Sequence, residues 1–247
     1  MKNSELIKYV AADMLDDRAD MLSGESDQLF SDDVIAKRLA EAENILCRRA
    51  WVIEDTGATC ATRIQLVENK TDYSVDKSVL FIKSVRLSDS EIDLPRVGYD
   101  DNRPRTALFQ PLGPWDVNAT YVENPGRPSR FSTDVGNRII RIRQKPDAAS
   151  ALLKLHLIVV RMPINAISVA NGDKSPEVPE EFHMDLASYA AGKCLSLPTL
   201  DSAQRAAGRE LLADFDSRVK EAKRDRQRWQ QSMPQHRFGG WAGHQEE

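Results

Sequence analysis

The stretch that decides the fold reads PEEFHMDLASYAAGKCLSLPTL over residues 179–200 and DSAQRAAGRELLADFDSRVKEAKRDRQRW over residues 201–229. Apolar side chains recur at helical spacing in both halves. They are Phe182, Leu186, Tyr189 and Ala190 in the first half, and Leu211, Leu212, Phe215, Val219 and Ala222 in the second. The stretch therefore predicts two amphipathic helices arranged as a hairpin.

The boundaries of these helices carry their own signals. Pro179 is followed by two glutamates, which suits a helix start because proline fixes φ and carboxylates favour the positive end of the dipole. Leu197-Pro198 interrupts the pattern, since a residue before proline is pushed out of the α region. Asp201 or Ser202 is then predicted to cap the second helix.

Two more amphipathic helices are predicted upstream. One runs from Ser4, as a cap, to Leu22, with Leu6 and Val10 on its apolar side. The second is capped by Ser31 and is expected to pack on the C-terminal hairpin. Its apolar stripe consists of Ile35, Leu39, Ala42, Leu46 and Ala50.

The hydrophobic period changes at about Asp55, where short β-branched runs separated by Asn, Asp, Gly and Pro predict β-strands. The predicted strands are Thr62–Val67, Val79–Leu87, Val117–Val122, Arg138–Arg143 and Leu152–Met162. In the last strand the leucines share one face, while Lys154 and His156 occupy the other face until it becomes buried toward Val160.

These patterns predict an α+β fold, in which N- and C-terminal helices form a helical body with an inserted antiparallel β-sheet or small sandwich. The predicted bounds are 1–54 for the first helices, 55–170 for the β domain with a long proline-rich loop at 88–115, 171–229 for the helical hairpin, and 230–247 for an extended docking tail. A loop as long as 88–115 is typically functional or poorly ordered.

The charge of the chain is unevenly placed. The formal net charge is −4, which gives no global attraction to nucleic acid. Residues 13–27 hold six acids and one base, whereas residues 218–237 hold seven bases and two acids. Opposite charge at the two ends of a chain favours head-to-tail pairing of copies, although solvated helix faces give the same pattern.

The cysteines and the hydropathy indicate a soluble protein made in a cytosol. Cys47, Cys60 and Cys194 are odd in number and widely spaced, so they define neither a disulfide framework nor a zinc site. No apolar run has membrane-spanning length, and the acids near the start do not suit a signal peptide.

A search for catalytic motifs finds no phosphate-binding glycine loop, zinc-protease motif or nucleophile elbow, so neither enzyme activity nor a cofactor is predicted. Asp89, Glu91 and Asp93 alternate, a spacing that would place three carboxylates on one face of a strand as in a metal site, but a solvated loop edge explains them better. His183 lies beside Glu180 and Glu181 and is interpreted as a surface histidine near acids rather than a base.

The basic aromatic end of the chain is interpreted as a protein-docking tail, because Arg and Trp are favoured anchors of interfaces. Direct nucleic-acid recognition, with phosphates gripped by arginines and a base stacked on Trp229, is the weaker alternative because the same helices are rich in acids. The predicted docking residues are Arg224, Arg228, Trp229, Arg237, Phe238 and Trp241.

The order of these parts resembles the head-to-tail connector, or adaptor, proteins of tailed bacteriophages. The resemblance spans roughly residues 30–229, and its strongest motif is VPEEFHMDLASYA at 178–190. The other matching stretches are IAKRLAEAENI at 35–45, LFIKSVRL at 80–87, RIIRIRQKP at 138–146 with LHLIVVRMP at 155–163, and DFDSRVKEAKR at 214–224.

This resemblance implies a structural protein of the virion neck, forming a ring, typically of twelve copies, beneath the portal protein. Such a ring extends the channel through which DNA passes without sequence-specific contact, and offers a platform for the next tail or nozzle protein. A closed ring needs an interface with two different faces. We predict that Asp13, Asp16, Asp17 and Asp20 of one copy face Arg218 and Lys220 of the next.

Two alternatives remain open at this point. The first is another neck or tail completion protein of similar build, which a different docking partner would distinguish. The second is a metal-dependent nuclease that uses Asp89, Glu91 and Asp93, which DNA cleavage would reveal.

Overall fold

The structure is a computed structural model that describes residues 1–15, 29–97, 125–133 and 138–232, with side chains as far as residue 228 in the last range. The chain divides into two compact units. The helical unit is formed by Met1–Val52 and Asn165–Glu247, and the β unit by Ile53–Ile164. The fold class is α+β, as predicted, with helices at both ends and antiparallel strands between them.

The elements follow one another in the order expected from the changing hydrophobic period. The helices are α1 (Asn3–Tyr9, continued by a π-helical turn, Val10–Met14), α2 (Asp32–Ala50), α3 (Thr59–Thr62), α4 (His183–Leu195) and α5 (Ser202–Ser232). The strands are β1 (Glu54–Asp55), β2 (Arg63–Gln65), β3 (Asp72–Ser74), β4 (Val79–Leu87), β5 (Arg130–Ser132), β6 (Ile139–Arg143) and β7 (Lys154–Arg161). Short 3-10 turns lie at Ser150–Leu152, Val169–Asn171 and Glu180–Phe182.

The core of the helical unit is built on the predicted apolar stripes. All five stripe residues of α2 are buried, as are Leu186 and Ala190 of α4 and Phe215 and Val219 of α5. The helix α2 packs against both α4 and α5, and α1 contributes buried Leu6. Removal of these apolar side chains from water is the main stabilisation of the unit.

Tyr189 of α4 joins three helices. Its hydroxyl donates a hydrogen bond to Oε1 of Glu41 in α2 at 2.8 Å. Its ring lies 4.8 Å from the Phe215 ring of α5, centroid to centroid, with an interplanar angle of 56° that suits a tilted aromatic pair. Arg49 of α2 adds an ion pair with Asp216 of α5. These contacts fix the three helices relative to one another.

The helices α4 and α5 approach at backbone contact distance where two glycines face each other. A Cβ atom added at Gly192 would lie 2.9 Å from the carbonyl oxygen of Gly208, and one added at Gly208 would lie 2.9 Å from that of Gly192. Because real Cβ atoms do not approach an oxygen so closely, only glycine fits at both positions.

The helix boundaries confirm one predicted cap and correct two. Asp201 caps α5, since its Oδ1 accepts a hydrogen bond from the Gln204 backbone N–H at 2.7 Å. Ser31 occupies the N-cap position of α2, but its side chain makes no capping bond. Ser4 lies inside α1, whose N-cap is Lys2. The part of the first predicted helix beyond residue 15 lies outside the described residues.

The β unit contains two antiparallel sheets. In the first sheet β7 pairs with β1 and β2 on one side and with β4 on the other. In the second sheet β6 lies between β3 and β5. A single hydrophobic cluster takes Val85, Leu155 and Leu157 from the first sheet and Phe131 and Ile140 from the second. The unit is therefore a small sandwich, one of the two predicted forms.

The strand β7 shows the predicted alternation. Leu155, Leu157 and Val159 are buried, whereas Lys154 is exposed and His156 is half-buried. The second face becomes buried at Val160, as expected.

Other strand predictions differ in detail from the structure. The segment predicted as a strand from Thr62 begins with the helical turn α3, and β2 spans only three residues. The predicted strand Val117–Val122 and most of the 88–115 loop lie outside the described residues. The strands β1, β3 and β5 were not predicted, because runs of two or three residues carry no periodic signal.

Candidate interaction surfaces

The exposed side of α5 carries most of the basic residues predicted to contact partners. Arg218 pairs with Glu221 at 3.3 Å, Lys220 with Asp216 at 2.8 Å, and Arg228 with Asp225 at 3.5 Å. These pairs join residues three or four apart and are exposed, so each contributes only a few tenths of a kcal/mol, about 0.2–0.5. Their charges remain accessible for contact with another molecule.

The remaining predicted docking residues are only partly described. Arg224 is exposed on α5. Trp229 lies within α5, but its side chain is outside the described part of the structure. Arg237, Phe238 and Trp241 lie beyond the described residues altogether.

The predicted acidic face is represented by Asp13 alone. Asp13 is exposed near the end of the π-helical turn that continues α1. Asp16, Asp17 and Asp20 fall outside the described residues, and the described carboxylate partners of Arg218 and Lys220 are Glu221 and Asp216 of their own helix.

A groove in the helical unit, which we call the α4–α5 groove, lies beside these cations. It has a volume of about 520 Å³, and its apolar lining includes Val52, Phe182 and Ala222. Its charged lining consists of Glu181, Asp185, Glu221, Asp225, Arg218 and Arg226. Sequence reasoning did not find this groove, because its walls come from three separate parts of the chain.

Asp185 is a partly buried carboxyl group in the lining of the α4–α5 groove. Burial raises its pKa, the neighbouring Arg218 lowers it, and the nearby carboxylates of Asp214 and Glu221 raise it further. Carboxylates outnumber guanidinium groups among the charged lining residues. The groove is therefore suited to a segment that combines an apolar anchor with positive charge.

His183 is buried, with 2% of its surface exposed, which makes the interpretation as a surface histidine wrong. Its Nε2 lies 3.2 Å from the carbonyl oxygen of Val178 and donates to it in the neutral tautomer. Burial lowers the pKa of the imidazole. The side chain therefore holds the turn that leads into α4 and faces no solvent where a base would act.

The alternating acids after β4 do not form a metal site in the described structure. Asp89 pairs with Arg127 at 2.9 Å, which explains one of the three carboxylates as part of a loop contact. Among the described residues, no group of three or more His, Cys, Asp or Glu side chains could hold a metal ion. Nothing in the described geometry favours the nuclease alternative.

A row of basic side chains that the sequence did not reveal crosses the first sheet of the β unit. Arg63 of β2 and Arg86 of β4 are both register partners of His156 in β7. Lys154 lies two residues before His156 on the same strand. We call these four residues the cationic row. The alternation of Lys154 and His156 and the strands that contain Arg63 and Arg86 were predicted from the sequence, but the register that places Arg63 and Arg86 on either side of His156 was not.

Two further features of the described residues concern the burial of the cysteines and the apolar character of the helices. Cys47 and Cys194 are buried, Cys60 is exposed, and none of the three forms a disulfide bond. Among the helices that the structure describes, none combines the length and apolar character needed to cross a membrane.

Comparison with known proteins identifies the family. No curated protein matches the chain. The family model described as SU10 adaptor protein matches residues 1–237, which includes both units and the start of the basic tail. Because this match covers nearly the whole chain, the protein belongs to the SU10 adaptor family of tailed-phage head-to-tail adaptors.

Proposed function

We propose that this structural phage adaptor forms a ring beneath the portal, extends the DNA channel and provides the platform on which the tail assembles. The observation that carries the proposal is the family match over residues 1–237. The proposed place of the protein is the neck of the virion, after synthesis in the host cytoplasm. Genomic DNA passes through the ring without sequence-specific binding.

The proposed ring uses two different faces of the helical unit. Asp13, together with Asp16, Asp17 and Asp20, supplies the acidic face, while Arg218 and Lys220 supply the basic face on α5. A contact between unlike faces repeats around a ring until the rotation closes. Twelve copies are expected from the family resemblance. The exposed position of the described members of both faces supports this arrangement.

The proposed contact with the portal is made by the end of α5 and the tail that follows. Arg224, Arg228 and Trp229 lie in α5, and Arg237, Phe238 and Trp241 follow in the sequence. Arginine and aromatic side chains are the residue types that most often dominate binding energy in interfaces. A segment with this composition is expected to become ordered on its partner.

Native mass spectrometry of the protein alone and after mixing with the portal ring of the same phage tests this proposal. A portal complex that carries many copies would establish the adaptor role and count the subunits directly. Lack of association with the portal, together with binding to a tail protein, would instead indicate a tail completion protein. DNA cleavage that depends on a co-purifying metal would contradict the non-enzymatic assignment.

Deletion of residues 230–247 tests the tail directly. The last lining residue of the α4–α5 groove is Arg226, so this truncation leaves the described core and groove intact. We expect a folded protein that no longer joins the portal.

Replacement of Arg237, Phe238 and Trp241 by alanine should have the same effect as the truncation. Replacement of Gln235, His244 and Gln245 by alanine is the matched control within the same tail. Normal docking of the truncated protein would show that the tail is not the portal contact.

A further inference from the structure

The cationic row is a regular array fixed by the strand register. Arg63 pairs with His156 across β2 and β7, and Arg86 pairs with His156 across β7 and β4. Cross-strand partners project from the same face, so the three side chains lie in one line across the sheet. Lys154 projects from that face as well, because residues two apart on a strand point the same way.

The three long cations of the row are exposed and unneutralised within the described structure. Arg63, Arg86 and Lys154 are all exposed, and none of them makes an ion pair with a described residue. Asp93 lies opposite Arg86 across an isolated bridge, but the two side chains form no ion pair. The cations of α5 differ in this respect, since Arg218 and Lys220 have carboxylate partners on their own helix.

His156 reports the electrostatic field at the centre of the row. Burial lowers the pKa of its imidazole first, and the positive charges of Arg63, Arg86 and Lys154 lower it further. No carboxylate contributes to this shift. With three long cations against the single carboxylate of Asp93 opposite Arg86, the face keeps a positive potential.

The composition of this face favours a phosphate backbone over a protein partner. Protein interfaces are built around apolar or aromatic anchors and have few charges at their centre. The residues paired with the row are Gln65 of β2, opposite Lys154, and Asp93, opposite Arg86. The next outward pair along β4 and β7 is Ser84 with half-buried Ile158, and none of these four is an exposed large apolar side chain. Phosphate contacts, in contrast, need exposed Arg and Lys without such anchors.

We propose that the cationic row on the β2–β7–β4 sheet is a binding surface for the phosphodiester backbone of double-stranded DNA. The surface acts without regard to base sequence, because it presents point charges and no groups arranged to read base edges. This inference goes beyond the proposed adaptor function, which needs passage of DNA but no DNA-binding surface. Ring formation and portal docking do not depend on it.

The spacing of the row suits a small number of phosphates. Adjacent strands are about 4.8 Å apart, so Arg63 and Arg86 are separated by about 10 Å across β7. Phosphates advance by about 3.4 Å along the axis for each strand of B-DNA, so the row faces about two or three of them. Binding of so few phosphates is expected to be weak and strongly salt-dependent, which allows the DNA to move past the surface.

The test is fluorescence anisotropy of a labelled 20-base-pair duplex titrated with the full-length protein at several salt concentrations. Three neutralised phosphates, at about −0.9 each, give an expected slope near −2.7 for the logarithm of the binding constant against the logarithm of salt. The variant Arg63→Gln/Arg86→Gln/Lys154→Gln is expected to bind at least tenfold more weakly at about 50 mM salt and to lose most of this slope.

The matched control is Lys37→Gln/Lys174→Gln/Arg209→Gln, which removes the same charge from exposed positions of the helical unit. It is expected to bind DNA like the wild type, because it lowers the net charge by the same amount but leaves the cationic row intact. The charge-retaining variant Arg63→Lys/Arg86→Lys should also bind, since a phosphate contact of this kind needs positive charge more than fork geometry.

Three results would overturn the proposal. They are equal binding by the row variant and the wild type, equal loss in both triple variants, and no binding of the wild type at about 50 mM salt. Binding of a polyglutamate peptide through the row without binding of DNA would assign the face to an acidic protein partner instead. Portal association measured on the same variants separates these outcomes from failure of the adaptor proposal, because the row variant is expected to dock normally.

Discussion

Gly192 and Gly208 show how much a single missing methyl group can determine in this protein. Each glycine removes the Cβ that would collide with the carbonyl oxygen of the other, so α4 and α5 come into direct backbone contact. The close approach also brings Leu211 and Leu212 against the same site. The two glycines are therefore packing residues rather than points of helix flexibility.

Substitution of Gly192 by alanine is expected to destabilise the helical unit. Overpacking typically costs about 1–3 kcal/mol, which exceeds the gain in helix propensity of up to about 1 kcal/mol. Urea unfolding followed by circular dichroism at 222 nm measures the change. Gly126→Ala is the control, because a Cβ at Gly126 meets no atom within 4 Å. An unchanged midpoint for Gly192→Ala would show that the helices separate without cost.

The buried His183 predicts a pH dependence of stability. Its pKa is lowered in the folded protein, so at acidic pH the unfolded chain binds a proton that the native state does not. Its contribution to the free energy of unfolding is complete above the unfolded pKa of about 6.5 and falls as the pH drops below it.

The His183→Gln variant tests this dependence. We expect the wild type to lose more stability than this variant between about pH 7.5 and pH 5, as measured by urea unfolding. His156→Gln is the comparison, because it removes a histidine from the β unit and leaves the contribution of His183 in place. If the free energy of unfolding changes equally with pH in the wild type and in His183→Gln, His183 is not the source of the pH dependence.

At the scale of elements, α5 depends on the cap that begins it. The Gln204 backbone N–H donates a hydrogen bond to Asp201 Oδ1 at 2.7 Å. In the other direction, the Asp201 backbone N–H donates a longer hydrogen bond to Gln204 Oε1 at 3.4 Å. This reciprocal arrangement is a capping box. It satisfies a backbone donor that no intrahelical carbonyl can reach.

Replacement of Asp201 by alanine is expected to destabilise the protein by about 1 kcal/mol through loss of this cap. Ser202→Ala is the matched control, since the neighbouring serine was the alternative cap in the sequence and makes no described capping bond. Its effect is expected to stay within about 0.5 kcal/mol. Thermal unfolding compares the two variants, and a larger loss for Ser202→Ala would reverse the assignment.

The elements also show what sequence reasoning can and cannot reach. The helices α2, α4 and α5 were predicted, because a helix with one buried face has apolar residues every three or four positions. This spacing follows from local helix geometry alone. The short strands β1 and β3 were missed, because they exist only through pairing with β7 and β6. A strand of two or three residues that is held by pairing with a distant part of the chain has no recognisable pattern in its own sequence.

The same limit applies to the candidate surfaces. The basic residues of α5 were found as a charge run, since they are neighbours in sequence. The cationic row and the α4–α5 groove were not found, because the first depends on strand register and the second on helix packing. Their members, such as Arg63 and His156, become neighbours only in the folded chain.

At the scale of the whole molecule, the proposed ring contact can be tested by exchange of charge. Arg218→Glu/Lys220→Glu is expected to weaken each contact between copies on the portal by about 1 kcal/mol, or several-fold in affinity. Asp16→Lys/Asp17→Lys/Asp20→Lys in the same chain should restore it. Native mass spectrometry of the portal complex counts the bound copies in each case.

The control for this exchange is Lys37→Glu/Arg209→Glu, which reverses two exposed charges outside the proposed faces. It is expected to leave the number of bound copies unchanged. If the reversed variant assembles like the wild type, or if the exchange does not restore assembly, the predicted acidic and basic faces are not the subunit contact.

The insertion of the β unit between the two parts of the helical unit has a consequence for synthesis on the ribosome. The chain segment Ile53–Ile164 is made after α2 and before α4, so α2 emerges without the helices that cover its apolar stripe. At about 5–20 residues per second, this delay lasts on the order of ten seconds. During that time the sandwich can finish folding, whereas Ile35 and Leu39 remain open to chaperones, and the helical unit can close only when the last helix has been translated.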